Sequence, residues 1–221
     1  MPRPVSFFDL DDTILEGSSG RMFFQWCYDK KVYNLADMLI AGASGLIYKM
    51  GLIDPLNLVN YWLQRHTGWS QEKFVELTND WFEVSGKKAI RPKAIDEIEK
   101  RKQEGEVVML SASTQFVCDL IGNHLGMHSV LCTRVALIEN KLNGKLDGPF
   151  VYAEQKEIAA RAYCEKAGVD LQECSYYGDA LADRFILAAV GNAHCVNPES
   201  ALYALAQKEG WAIQNWSHNF R

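Results

Sequence analysis

The sequence predicts an α/β protein, a doubly wound (Rossmann-like) parallel sheet with an all-helical domain inserted near its start. Three observations predict it. After Pro92, short apolar runs alternate with amphipathic stretches, the pattern of a parallel sheet covered by helices on both faces. Residues 5 to 10, "VSFFDL", form a lone strand-like run far ahead of that series. Between them, from about 20 to 90, the texture is helical without a strand signal. The core is therefore placed in residues 1–16 and 91–221, and the helical insertion in 17–90.

In chain order, the first strand ends in Asp9-Leu10-Asp11-Asp12-Thr13. The insertion holds "RMFFQWCYDKKVYNLADMLIAGASGLIYKMG", "PLNLVNYWLQRHTG" and "SQEKFVELTNDWFEVSG", with Ser70 as the N-cap of the last helix. Trp62, Trp69 and Trp81 at this spacing read as core. The apolar stretch 38 to 53 is interrupted by Lys49, and its uncharged part, 38 to 48, is shorter than the roughly 20 residues a bilayer needs. It reads as a buried helix, with membrane contact not expected.

The second half continues with "KAIDEIEKRKQEG" as a helix ended by Gly105, "EVVMLSA" as a buried strand and "TQFVCDLIGNHLG" as a helix closed by Gly126. "SVLCTRV" is a strand. "LIENKLNGKLDGPFV" reads as a hairpin with Asn143-Gly144 at its turn. Then follow the helix "AEQKEIAARAYCEKAG", the strand "CSYYGD", the helix "ADRFILAAVG", the strand "AHCVN" and the helix "ESALYALAQKEG".

With 221 residues, 48% of them apolar, the chain can bury a sizeable core. A net charge of -5 without any Lys/Arg-rich block excludes a general nucleic-acid binder. The six cysteines form no CxxC pair and lie largely in apolar runs, so they read as buried thiols of a reducing compartment. The first residues carry no apolar signal-peptide run, and a cytoplasmic location is expected. The five histidines, scattered without ligand spacing, read as structural. Arg21, Arg65 and Arg91 read as surface ion-pair residues, and the Asn215-Trp216-Ser217 sequon as chance.

In an open parallel sheet the strand C-termini share one edge, and ligands bind there near the point where strand order reverses. The strands here end in Asp9-Leu10-Asp11-Asp12-Thr13, in Ser111-Ala112-Ser113-Thr114 and in Gly178-Asp179, with Asp183 close behind and Lys156 opening a helix. Clustered carboxylates repel one another and call for a cation. Several carboxylates with one lysine suit a hard divalent ion together with a phosphate, as Mg2+ takes oxygen ligands. No GxxxxGK[ST] or GxGxxG loop is present, so phosphate chemistry would be built on carboxylates. Taken singly, Asp12 reads as a solvated turn residue, Ser113 and Thr114 as helix caps, and Lys141 and Lys145 as weaker phosphate candidates.

"DLDDT", "MLSAS", Lys156 and "GDALAD" together resemble the four ordered motifs of the haloacid dehalogenase superfamily of phosphatases. The helical insertion resembles that of the helical-cap branch, subfamily IB, which contains phosphoserine phosphatase. The resemblance implies a Mg2+-dependent phosphomonoester hydrolase acting on a small organic phosphate beneath a cap. It implies Asp9 as the nucleophile that becomes an aspartyl-phosphate and Asp11 as the general acid and base. It further implies Mg2+ held by Asp9, the Asp11 backbone carbonyl and Asp179, and phosphate held by Ser111, Ala112 and Lys156. Thr13 and Asp183 would support the site. Two departures stand out. Ser18 occupies the place where phosphoserine phosphatases carry a glutamate for the substrate ammonium, and Ala180 and Ala182 replace residues of their GDGAND motif. Three alternatives stay open: a phosphotransferase, if an alcohol intercepts the intermediate; a lipid-head-group phosphatase, from the apolar stretch 38 to 53; and, from Ala180 and Ala182, a non-catalytic module that binds phosphorylated ligands.

Overall fold

A computed structural model describes residues 3–49 and 53–217. Among them β1 (Val5–Phe8), β2 (Glu106–Thr114), β3 (Ser129–Thr133), β6 (Ser175–Gly178), β7 (Asn192–Val196) and β8 (Ala212–Gln214) form one parallel sheet in the order β3-β2-β1-β6-β7-β8. The chain steps from β1 outward to β3, then crosses back to β6 on the other side of β1. Strand order therefore reverses at β1, where Phe8 pairs with both Met109 and Tyr177.

Alternation along β1 feeds two cores. Phe8, Met109 and Tyr177 face α5 (Pro92–Glu104) and α6 (Gln115–His124), packing with Ile98, Val117 and Ile121. Val5, Phe7, Val108, Leu110 and Tyr176 face the other way. There they meet α7 (Glu154–Ala167), α8 (Arg184–Ala189) and α9 (Ser200–Glu209). β8 has no counterpart in the sequence reading. It is three residues long with two of them exposed, an edge strand too short and too polar to leave a periodic signal.

The insertion forms α1 (Ser19–Asp29), α2 (Leu35–Lys49), α3 (Pro55–Arg65) and α4 (Gln71–Trp81). Ser18, Asp54 and Ser70 cap α1, α3 and α4 by accepting from Arg21 N (3.4 Å), Leu56 N (2.7 Å) and Lys73 N (3.2 Å). Lys31, in the left-handed region, separates α1 from α2. The helix expected over 38 to 53 is present as α2, but it is not buried: Leu35 and Leu39 are 62% and 66% exposed. The cause is Asp37, which is buried, accepts from Asn34 N and pairs with Arg65. Residues two places either side of it fall on the opposite face of a helix. Residues 50–52 of that stretch lie outside the described residues, as does His218.

Two connections join insertion and sheet side by side. Leu15 bridges Ile90, Glu16 N donates to Ala89 O (2.7 Å) and Arg91 N donates to Ile14 O (2.9 Å). Arg91 is thus no surface residue. It is 6% exposed within this hinge, with Nη1 3.7 Å from Glu16 Oε1.

A third attachment comes from the hairpin of β4 (Val135–Ile138) and β5 (Lys141–Leu146). Its turn is Glu139-Asn140, both residues left-handed, and not Asn143-Gly144. Gly144 lies inside β5 at φ 78°, where the register against β4 shifts. A Cβ there would collide with Thr67, so the glycine serves a close approach to α3. The hairpin holds the helical domain through its backbone: Gly68 N donates to Leu142 O (2.8 Å), Leu142 N to Trp69 O (2.9 Å) and Gln71 N to Asn140 O (2.8 Å). Gly144→Ala is expected to cost about 1–3 kcal/mol and to lower the thermal midpoint by about 3–10 °C. Gly42→Ala, in helical backbone with nothing near its Cβ, should leave the midpoint unchanged or raise it. Thermal unfolding of both variants checks this.

All six cysteines are buried and unpaired, as expected. His66 is held by Tyr33 Oη and Trp62 O (2.6 Å each), a structural histidine. No described helix is long and apolar enough to cross a membrane.

Candidate active site

The site grows from the C-terminal ends of β1 and β6. Asp9 N continues the ladder by donating to Tyr177 O at 2.9 Å. The chain then leaves the sheet in an irregular turn, Leu10–Ile14, with Asp11 extended and Asp12 at φ 56°. Asp12 is exposed, consistent with a turn residue. The reversal turns Thr13 back into the interior, where its Oγ1 donates to Asp179 Oδ1 at 3.3 Å.

Lys156 stands in the first turn of α7, 4% exposed. Ala153, at φ 49°, bends the chain sharply just before it. Its ammonium donates to Asp9 Oδ1 (2.9 Å), Asp183 Oδ1 (2.7 Å) and Tyr176 Oη (3.0 Å). Asp183 reaches it because residue 178 is glycine; a Cβ there would strike the Asp183 carboxylate and the Tyr176 ring. Asp9, Asp179 and Asp183 each offer a carboxylate oxygen within 4.8 Å of the others.

The charge at this cluster is unbalanced. Burial raises Asp9; Lys156 pulls it down and Asp183 pushes it up again, leaving it at about 7. Asp179 is pushed to about 9 by burial and then by Asp9, Asp183 and Asp12. Burial alone would discharge Lys156, but Asp183 and Asp9 outweigh it and hold the ammonium well above its ordinary value. One buried lysine thus faces three carboxylates.

The remaining expected residues form a second, adjoining group. Ser111 lies on β2 two residues beyond Met109, the partner of Phe8 at the end of β1. Ser111 is 1% exposed and its Oγ accepts from Ser113 N (3.1 Å); Ala112 lies between them at the end of β2. The Asp11 carboxylate is not part of the acidic cluster. It accepts from Ser19 N (2.6 Å) and Ser113 Oγ (2.8 Å). Ser113, expected as a helix cap, is therefore turned toward Asp11, and Thr114 occupies the cap position of α6 without a side-chain bond. Tyr176, Ser19 and Ser113 are the site residues that sequence reasoning missed. A strand tyrosine reads as core, and a serine before a helix reads as a cap. Ser18 is engaged in capping α1.

The fold and site define a class: a doubly wound α/β enzyme with an acidic, lysine-bridged centre at its topological switch point and a helical domain inserted beside it. The chain belongs to the haloacid dehalogenase-like hydrolase family, whose model matches residues 6–188. Among curated relatives, it is 28% identical to an "inhibition of morphological differentiation protein" of Streptomyces azureus, over all of this chain and 81% of that one. It is 27% identical to a probable phosphatase of Mycobacterium tuberculosis, over 97% and 76%. A phosphoserine phosphatase of the same organism is 25% identical, over 96% and 70%. Among solved structures, a Bordetella pertussis protein of unknown function superposes with a TM-score of 0.87 at 18% identity, covering 98% of this chain and 100% of that one. A phosphoserine phosphatase carrying a phospho-aspartyl intermediate analogue superposes at 0.71 and 14% identity, over 100% and 97%. These likenesses agree with the α/β fold and with an enzyme of the phosphatase kind.

Proposed function

We propose that the chain is a Mg2+-dependent phosphomonoester hydrolase that works on a small organic phosphate through an aspartyl-phosphate on Asp9. The observation that carries this reading is the Asp9 carboxylate, oriented by Lys156 at 2.9 Å beside the buried carboxylate of Asp183 and the partly buried one of Asp179. The cluster suits the ion: the Asp9 and Asp179 carboxylates are hard oxygen donors, and with Asp183 they carry more negative charge than one lysine offsets. Asp9, Asp179 and the Asp11 main-chain carbonyl would hold it. Asp183, already bound to Lys156, would support from behind. When bound, Mg2+ would neutralise the phosphate and the nucleophile together.

The chain's own groups supply the rest. Asp9 attacks phosphorus, its Oδ–P bond forms and the ester P–O bond breaks. Asp11 gives its proton to the departing oxygen, then takes one from the attacking water. Ser111, the Ala112 backbone and Lys156 bind the phosphoryl oxygens. Ser18 supplies no charge for an ammonium, which favours substrates without one near the phosphate.

Release of inorganic phosphate from p-nitrophenyl phosphate and a panel of phosphorylated metabolites, with and without Mg2+, tests the reading. Acid-quenched protein should carry a hydroxylamine-labile phosphoryl group on Asp9. No Mg2+-dependent release across the panel, or a label on another residue, would overturn it.

The charge imbalance also predicts a pH-dependent response to metal. Asp9 and Asp179 lie above their unfolded values, at about 7 and about 9, so the metal-free fold gains from their protonation. That gain is full at low pH and is lost as pH rises through the folded values. Millimolar Mg2+ should leave the thermal midpoint nearly unchanged at about pH 5 and raise it by several degrees at about pH 8.5. Thermal unfolding in chelator and in Mg2+ across that range measures it.

A further inference from the structure

The Asp11 carboxylate is held from two directions. The main-chain N–H of Ser19, the first residue of α1, reaches Oδ1 at 2.6 Å, and the Ser113 hydroxyl reaches Oδ2 at 2.8 Å. The two serine hydroxyls lie 3.1 Å apart. Ser113 has one hydroxyl proton and directs it to Asp11, so Ser19 Oγ is the donor in the Ser19–Ser113 bond. Ser113 is itself fixed, because its N–H is bound to Ser111 Oγ at 3.1 Å. Ser19 is 1% exposed, and Ser113 and Asp11 are partly buried.

We infer that Ser113 is a positioning residue for the general acid: its hydroxyl, backed by Ser19, fixes the orientation of the Asp11 carboxyl toward the leaving oxygen. The inference rests on Asp11 being that acid. A helix cap, the other role open to a serine here, is contradicted by its bond. The position of a proton-transferring group matters because transfer requires hydrogen-bond reach and alignment. A carboxyl free to rotate between wells spends less time in the productive one. Ser113 joins β2 of the core to α1 of the helical domain through Asp11, so the acid is set from both sides at once.

The test uses leaving groups. In the first step the electron pair of the breaking P–O bond goes to the departing oxygen, which takes the proton of Asp11. An alkoxide needs that proton; 2,4-dinitrophenolate does not. In kcat/KM, which reads the steps through formation of the phosphoenzyme, Ser113→Ala should lower the value for an alkyl phosphate about tenfold or more. For 2,4-dinitrophenyl phosphate the fall should be less than about threefold. Ser113→Thr, which keeps the hydroxyl, should restore most of the alkyl phosphate rate. Thr114→Ala, at a position without a side-chain bond, should leave the ratio of the two substrates unchanged.

Asp11→Asn separates the two claims. If Asp11→Asn spares the activated ester while Ser113→Ala lowers both substrates equally, Asp11 is the acid and Ser113 merely structural; the inference is then wrong. If Asp11→Asn lowers both substrates equally, the assignment of Asp11 fails first. A loss of folding in Ser113→Ala would reduce active protein for both substrates alike, so the ratio remains readable in the fraction that is active.

Discussion

Asp9→Asn is expected to abolish turnover, by at least about 10³-fold, and at the same time to stabilise the metal-free protein above neutral pH. The two effects have one cause. A carboxylate that attacks phosphorus must be ionised and poorly solvated, and Asp9 is 7% exposed with Asp179 and Asp183 beside it. Burial and Asp183 together outweigh Lys156 and leave Asp9 at about 7, so in the absence of metal its charge is a net cost to the fold at higher pH. Asparagine keeps an oxygen for the Lys156 ammonium and removes the charge. In chelator at about pH 8 the variant should unfold about 2–8 °C above the parent, a gain of about 1–2 kcal/mol. Below about pH 3, where Asp9 is protonated in both folded and unfolded chains, the two curves should converge. The Mg2+-dependent rise in midpoint should shrink or vanish in the variant. A variant less stable than its parent at every pH would show that Lys156 needs the full charge of Asp9 and that the site carries no functional strain.

How much of this could be read from residues alone varied with the length scale of the cause. The sheet was legible because Phe7 and Phe8, Val108 and Met109, and Tyr176 and Tyr177 each feed opposite faces, and buried parallel strands leave continuous apolar runs. The meeting of Asp9, Lys156, Asp179 and Asp183 followed once those strands were assigned, since parallel crossovers deliver their ends to one edge. Features decided by contacts between distant segments were not legible. Asn143-Gly144 is a strong local turn signal, yet the glycine is required by Thr67 on the helical domain and the turn falls at Glu139-Asn140. Leu35 and Leu39 face outward because the Asp37–Arg65 pair claims the inner face of α2. Ser113 resembles any serine ahead of a helix until Asp11, a hundred residues away in the chain, is placed beside it. Tyr176 gives no sign in a strand of aromatic residues that its hydroxyl touches the site lysine.

Lys156→Met should produce the largest loss of stability of any single change at the site, about 3–5 kcal/mol, or roughly 6–20 °C in thermal midpoint. Methionine fills the space of the apolar stem and removes the ammonium, so little of the loss would come from packing. What remains is three carboxylates among buried groups with no cation in contact, two of which had been bound at 2.9 and 2.7 Å. The sign of the pH dependence separates this cause from a packing defect. The folded ammonium lies well above the unfolded lysine value, so Lys156 itself loses no proton from acidic to mildly alkaline pH and the pH dependence comes from the carboxylates. Asp9 and Asp179, already raised, would rise further without it. Destabilisation should therefore be small at about pH 4–5, where they accept protons, and should grow toward about pH 9 as keeping them protonated becomes harder. Lys156→Arg is not expected to rescue, because the site is 4% exposed and shaped around a point charge, with Tyr176 Oη at 3.0 Å leaving no room for a planar guanidinium. Adding Asp183→Asn to Lys156→Met should recover part of the stability, since one of the two orphaned carboxylates is then neutral. Turnover should stay lost in the double variant, which still lacks the lysine proposed to meet the phosphate. A destabilisation that is equal from pH 5 to pH 9, or a double variant worse than the single one, would place the cause in packing and remove the electrostatic account of this centre.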